Sequence, residues 1–154
     1  MTKTELEYAL AECTVAVLEQ MFFVHALDAP ALAVMAADSD LICGVDFAGD
    51  PSGHLALRLS QEAARSIAGD FLGEDEGVLS DFRVGQVVCE LANIICGSVL
   101  SRIESGTTFR LDSPRLLPTW PGSGKNAVVH SAILDRGALT AEFSTERPVN
   151  PVGT

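Results

Sequence analysis

The residues best placed to do chemistry in this chain lie on one predicted helix, about residues 83–104. Turned at 100° per residue, that segment puts Arg83, Gln86, Glu90, Asn93, Gly97, Ser101 and Glu104 on one narrow stripe. Almost everything else in it is apolar: Val84, Val87, Val88, Leu91, Ile94, Ile95, Val99, Leu100 and Ile103. An amphipathic helix with a merely solvated face is the plain explanation. Two residues argue for more. Asn93 is a poor interior helix residue, because its side chain competes for backbone hydrogen bonds. Gly97, one turn further on, costs about 1 kcal/mol relative to alanine in a helix interior. A glycine on the exposed stripe makes a flat spot where another molecule's surface can come close. Glu90 and Asn93, with Gln86, Gly97 and Ser101 along the same line, therefore read as a docking face.

Other chemistries fail on residue type or spacing. Pro121-Gly-Ser-Gly-Lys125 suggests a phosphate-binding loop, but Thr119 stands where the opening glycine belongs and Asn126 follows the lysine. The segment after it reads as strand, whereas that loop must lead into a helix. No serine sits in a nucleophile elbow, and no carboxylate pair has a spacing suited to acid–base work. Cys13, Cys43, Cys89 and Cys96 form no C-x-x-C pair, and His25, His54 and His130 are far apart with no cysteine beside them. A metal site needs such ligands clustered at short spacings. The cysteines read as reduced, buried small hydrophobes, and neither a metal nor a cofactor held by this chain is expected. Trp120, between Pro118 and Pro121, reads as a packing anchor.

Positioning a helix face takes a scaffold. Thr4-Glu-Leu-Glu7 has a capping-box pattern, opening a helix that runs to about Val24 and is stopped by Asp28-Ala-Pro30. Residues 41–47 and 55–59 read as strands joined by the turn residues Gly49-Asp-Pro-Ser-Gly53, with Leu55, Leu57 and Leu59 on one face and His54, Ala56 and Arg58 on the other. Ser60 caps a helix ending near Gly73, and Glu74-Asp-Glu-Gly77 reads as a solvated acidic loop. Ser80-Asp81 then opens the long helix, which ends near Glu104 with Gly106 beyond it. Strands follow near 107–111, 126–134 and 138–144, the last two joined by a turn at Asp135-Arg-Gly137. The order α-β-β-α-α-β-β-β, with hairpins and no regular β-α-β alternation, predicts an α+β domain with helices packed on a mostly antiparallel sheet. One domain over 1–154 is expected, with a loose tail from about 145.

Composition bounds the partners. The 154 residues are 47% hydrophobic and 20% charged, as in a globular domain. With 21 acidic against 10 basic side chains the net charge is -11, which disfavours nucleic acid and anionic membranes. The polar start, Met1 to Glu7, does not resemble a signal peptide, and no apolar run approaches the ~18–20 residues of a spanning helix. A cytoplasmic protein is expected.

Glu90-Leu-Ala-Asn93-Ile-Ile-Cys-Gly97 resembles the Glu-x-x-Asn helix of the CheC/CheX/FliY phosphatases of bacterial chemotaxis. The similarity extends over most of residues 5–105, through Leu18-Glu-Gln-Met-Phe-Phe23, Gly53-His-Leu-Ala-Leu-Arg-Leu-Ser60, the Ala-rich helix and Gly73. A single signature, with Phe22 where a first-helix asparagine would sit, is similar to the one-site CheX branch. Ser98 departs from the asparagine that many relatives carry after the glycine. The resemblance implies hydrolysis of the aspartyl phosphate on a CheY-like receiver. Asn93 would hold a water in line with phosphorus, and Glu90 would pair with the receiver's lysine. Mg²⁺ would come from the receiver, and the protein would be a homodimer. Two other readings share this face: a receiver-binding adaptor without turnover, and a structural protein whose Gly97 stripe packs on another copy.

Overall fold

A computed structural model of the chain describes residues 1–29, 36–103, 108–121, 124 and 126–148. Helix α1 spans Lys3–Met21 and begins one box earlier than expected: Thr2, not Thr4, is the N-cap. Its hydroxyl accepts the Glu5 amide at 3.1 Å, and the Glu5 carboxylate accepts the Thr2 amide in return. The helix also ends earlier, and not because of Pro30. Phe23 takes a left-handed backbone, φ 60, and the Val24 amide turns back to the Leu18 carbonyl at 2.9 Å. This reversal buries Phe22 and sends the chain into β1 (Ala26–Ala29), a strand the sequence pattern did not signal.

Strands β2 (Leu41–Ala48) and β3 (Gly53–Leu59) form the expected hairpin, pairing from Leu41↔Leu59 to Phe47↔Gly53. Helix α2 (Gln61–Leu72) is capped by Ser60, whose hydroxyl accepts from both Ala63 and Ala138, and it closes on Gly73 at φ 66. The acidic segment that follows is more than a solvated loop. Glu74 pairs with Arg83 at 2.7 Å and Glu76 with Arg136, while Asp75 accepts the Gly77 amide at the start of a 3₁₀ turn over Glu76–Val78.

Helix α3 (Asp81–Leu100) carries the predicted stripe. The Ser80 hydroxyl accepts the Arg83 amide at 3.2 Å and Asp81 lies in the first turn, favourably placed against the helix dipole. Regular helix stops at Leu100 with Ser101 as cap, and Arg102 and Ile103 continue in tighter i→i−3 bonds. The expected end at Glu104 and Gly106 lies outside the described residues. By length and composition alone α3 could cross a membrane, contrary to the sequence expectation, but 56% of its most apolar 18-residue window is buried inside the fold, as in a core helix.

Two short strands, β4 (Arg110–Leu111) and β5 (Arg115–Leu116), both pair with β2; the second was not expected. Strands β6 (Ala127–Leu134) and β7 (Ala138–Thr145) form the last hairpin. The loose tail expected from 145 is corrected in part. Thr145 is buried in β7, and Glu146 is tied to Ser52 through both its backbone amide and its carboxylate. Residues 149–154, and Ser123 and Lys125 of the rejected phosphate loop, lie outside the described residues.

All pairings among the described residues are antiparallel, in the order β1-β6-β7-β3-β2-β4, with β5 also paired to β2. The architecture is the predicted α+β type: among the described residues, three α-helices pack on an antiparallel sheet. The core joins Leu55, Leu57 and Leu59 of the sheet to Leu10 and Leu18 of α1, Ile67 of α2, and Val88, Leu91 and Ile95 of α3. Ala56, on the opposite face, is also buried. Trp120 anchors near this face, with the Arg58 guanidinium 5.3 Å from its ring centre.

Candidate functional site

Helix α3 turns one stripe into the core and the other outward. Val84, Val88, Leu91, Ala92, Ile95 and Val99 are fully or almost fully buried, which fixes the rotation of the helix. Gln86 and Glu90 are exposed, and Asn93 and Gly97 are half-buried beside them. Glu90 and Asn93 are about one turn apart, so both can enter one cleft. Among the described residues, neither the Glu90 carboxylate nor the Asn93 amide has an ion-pair or hydrogen-bond partner. Arg83, a second charge on the stripe, is engaged by Glu74. Ser101 is exposed, but its hydroxyl donates to the Ser98 carbonyl at 2.7 Å, which leaves an acceptor for a partner but no free donor. Glu104 lies outside the described residues.

A Cβ built on Gly97 would meet nothing within 4 Å, so the flat spot opens on empty space. Gly85 works differently. Its Cβ would stand 3.1 Å from Leu116 Cδ1, so glycine here allows the β5 segment to press against α3.

Glu90 and Gln86 form a ridge between two clefts. One, about 490 Å³, is walled by Phe82, Gly85 and Cys89 of α3 and by Pro114, Arg115 and Leu116. The other, about 210 Å³, lies toward α2 and is walled by Phe71, Leu72, Arg83 and Val87. Phe82 is 73% exposed and Leu116 51%, which places large apolar side chains at the rim beside the unpartnered carboxylate. Sequence reasoning missed these walls. Phe82 had a signal, because at 100° per residue it falls beside Gln86 and Asn93; Leu116 and Arg115 had none, since pairing of β5 with β2 brings them there. Arg115 is held by Asp46 at 3.1 Å.

A family model described as "Chemotaxis phosphatase CheX" matches residues 41–121, from β2 through α3 to the segment carrying Trp120. The chain belongs to the CheX family. Its fold is also that of solved CheX proteins. The Vibrio vulnificus CheX structure superposes with a TM-score of 0.73 at 17% identity, covering 95% of this chain and 99% of the other. A Borrelia burgdorferi CheX, solved in a CheX–CheY–BeF3–Mg²⁺ complex, gives 0.70 at 18% identity over 94% and 98%. Thermotoga maritima FliY gives 0.60 at 15% identity over 91% and 86%. At these identities the likeness is one of fold. No curated protein matches closely enough to be compared. Within this CheX fold, Phe22 is fully buried and stacked on Phe71 at 4.6 Å between ring centres. The first helix thus has a core side chain where the resemblance sets an asparagine in two-site relatives.

Proposed function

We propose that this CheX-family chain hydrolyses the aspartyl phosphate of a CheY-like receiver domain in the cytoplasm, in chemotaxis or a related two-component pathway. The observation that carries this reading is an exposed, unpartnered Glu90 with Asn93 one turn beyond it, on the helix inside the family match. The Borrelia relative crystallised with CheY supports a receiver as the partner.

In this reading Glu90 enters the receiver's site and pairs with its lysine through a charge-assisted hydrogen bond. The Asn93 carbonyl oxygen accepts a hydrogen bond from a water, aiming the water's lone pair at phosphorus. Attack forms the new P–O bond and breaks the bond to the aspartyl oxygen, giving inorganic phosphate and a free carboxylate. An acyl phosphate is already reactive, so orientation supplies the acceleration and no nucleophile is needed from this chain. Mg²⁺ belongs to the receiver's phosphoryl site. Gln86 and Gly97 widen the docking face, with Phe82 and Leu116 as apolar rims.

The protein acts as a homodimer in this proposal. Leu27, Val129 and Ile133, which share one face of the paired strands β1 and β6, are 61%, 36% and 46% exposed and offer an apolar patch for the contact. The test of function is loss of phosphate from a phosphorylated receiver. Acceleration by substoichiometric protein supports hydrolysis. Binding without acceleration makes the chain an adaptor.

A further inference from the structure

Helices α1 and α2 end in the same way with different residues. Helix α2 closes on Gly73 at φ 66, and the amides of Gly73 and Glu74 both donate to the Gly69 carbonyl. Helix α1 closes on Phe23 at φ 60, and the Val24 amide returns to the Leu18 carbonyl at 2.9 Å. A left-handed residue past a helix end is ordinarily glycine, because a Cβ there crowds the next carbonyl oxygen. Among the described residues Phe23 is the one non-glycine residue held in that conformation. Packing inside the fold does not offset the strain, since Phe23 is 70% exposed. Phe22 beside it turns inward and stacks on Phe71, which holds the two helix ends together. Met21 and Phe71 are exposed at this junction as well. Phe71 and Leu72 also form the α2 wall of the smaller cleft, whose α3 wall carries Gln86 and Glu90. The apolar junction is therefore continuous with the Glu90 ridge.

The charge of the junction is one-sided. A helix C-terminus carries the negative end of the dipole, and neither α1 nor α2 has a basic residue in its last turn. Glu19 and Asp70 stand there instead. Glu19 faces His25 at 3.5 Å, and Asp70 has no ion-pair or hydrogen-bond partner among the described residues. An apolar face with that potential fits a partner that brings cations. A second copy would set two negative helix ends against each other, and an anionic membrane would be repelled. We propose that Phe23, with Met21 and Phe71 around it, anchors the same receiver domain that docks on Glu90, by gripping an apolar spot bordered by basic residues on the receiver's surface. This inference rests on the receiver reading of the Glu90 face. A standard interface buries about 800 Å² on each partner, a disc roughly 16 Å in radius, which extends from Glu90 past the cleft wall at Phe71. Phe23 supplies exposed aromatic area on that side, and an aromatic ring loses little conformational freedom when it is covered.

The test compares full-length wild type with Phe23→Gly, Phe23→Asn and Phe23→Tyr, by thermal unfolding and by titration with a CheY-like receiver carrying beryllofluoride and Mg²⁺. Glycine and asparagine accept left-handed backbone, so Tm should rise by about 2–4 °C in Phe23→Gly and hold or rise in Phe23→Asn. Both variants should nevertheless bind the receiver roughly tenfold more weakly, while Phe23→Tyr keeps the ring and the affinity. In phosphate release the loss should appear in KM with kcat retained, because the ring lies away from the reacting atoms. Equal receiver affinity in wild type, Phe23→Gly and Phe23→Asn overturns the anchor. So does a Tm that falls in both variants, since the ring would then serve the fold, or a lower kcat at unchanged KM. A drop in molar mass by light scattering in Phe23→Gly, with receiver affinity kept, assigns the junction to a contact between copies and also overturns it. Glu90→Gln separates this claim from the reading beneath it. Weaker binding in Glu90→Gln with none lost at Phe23 removes the anchor and leaves the receiver reading standing, whereas a wild type that binds no receiver removes both.

Discussion

Substituting Gly97 should move stability and function in opposite directions. Glycine in a helix interior is less favourable than alanine by about 0.8–1.0 kcal/mol. Gly97 lies near the end of α3, where fraying reduces that difference, so about 0.5–1 kcal/mol of stabilisation is expected for Gly97→Ala. No steric term opposes it, because the added Cβ meets nothing within 4 Å. For a chain of this size, 1 kcal/mol corresponds to a rise in Tm of about 2–4 °C. A receiver seated over the flat spot would meet the new methyl, and Gly97→Leu would hold it off altogether. Thermal unfolding followed by circular dichroism measures the first effect and receiver affinity the second. The expected pattern is a Tm that rises in Gly97→Ala while binding weakens, with a larger loss of binding in Gly97→Leu. A lower Tm in Gly97→Ala would mean that the glycine serves the fold. Unchanged binding in Gly97→Leu would remove Gly97 from the docking face.

Three further outcomes follow from the same geometry. Glu90→Gln should weaken receiver binding by about 1.5–3 kcal/mol, roughly 10- to 150-fold in Kd by titration, with unchanged circular dichroism. An equal Kd would argue against a cation opposite Glu90. His130, buried on β6 with Asp28 of β1 3.7 Å away, has its pKa lowered by burial, an effect that Asp28 and Glu7 partly oppose. The unfolded chain therefore takes up the proton first as pH falls, so this contribution to stability is full above about 6.5 and is lost progressively below it. Denaturant unfolding between about pH 7.5 and about pH 5 should show that decline, and His130→Gln should flatten it. Ile133→Asp should shift the molar mass measured by light scattering from dimer toward monomer; a mass unchanged from wild type would move the contact elsewhere.

Features with local causes were legible in the sequence. Ser60 and Gly73 bracket α2, Ser80 opens α3, and the turn residues between Phe47 and Gly53 set the first hairpin, because caps and turns act within a few residues. The outward stripe of α3 was legible for the same reason, since one helical period orders all of it. What failed was set at long range. Strand β5 is two residues long and exists because Cys43 and Gly44 accept it as a partner. Strand β1 needs β6, about a hundred residues later, to pair with. The acidic segment looked free because Arg136, its distant counter-ion, arrives only with the last hairpin. Even α1 ended by a backbone reversal at Phe23, which residue type disfavours, and a visible proline drew the expected end too far. The same division runs through the site: the ridge of Gln86, Glu90 and Asn93 is one local helix face, whereas the Leu116 wall exists only once the sheet is assembled.

The central claim is that Asn93 orients the water that removes phosphate from a receiver. The measurement is the decay of a phosphorylated CheY-like receiver with Mg²⁺, alone, with wild-type protein, and with Asn93→Ala, alongside the receiver affinity of both proteins. Substoichiometric wild type should accelerate the decay, and Asn93→Ala should bind with similar affinity while losing about 100-fold of that acceleration. Full acceleration by Asn93→Ala, or receiver binding by wild type with no faster loss of phosphate, would contradict it.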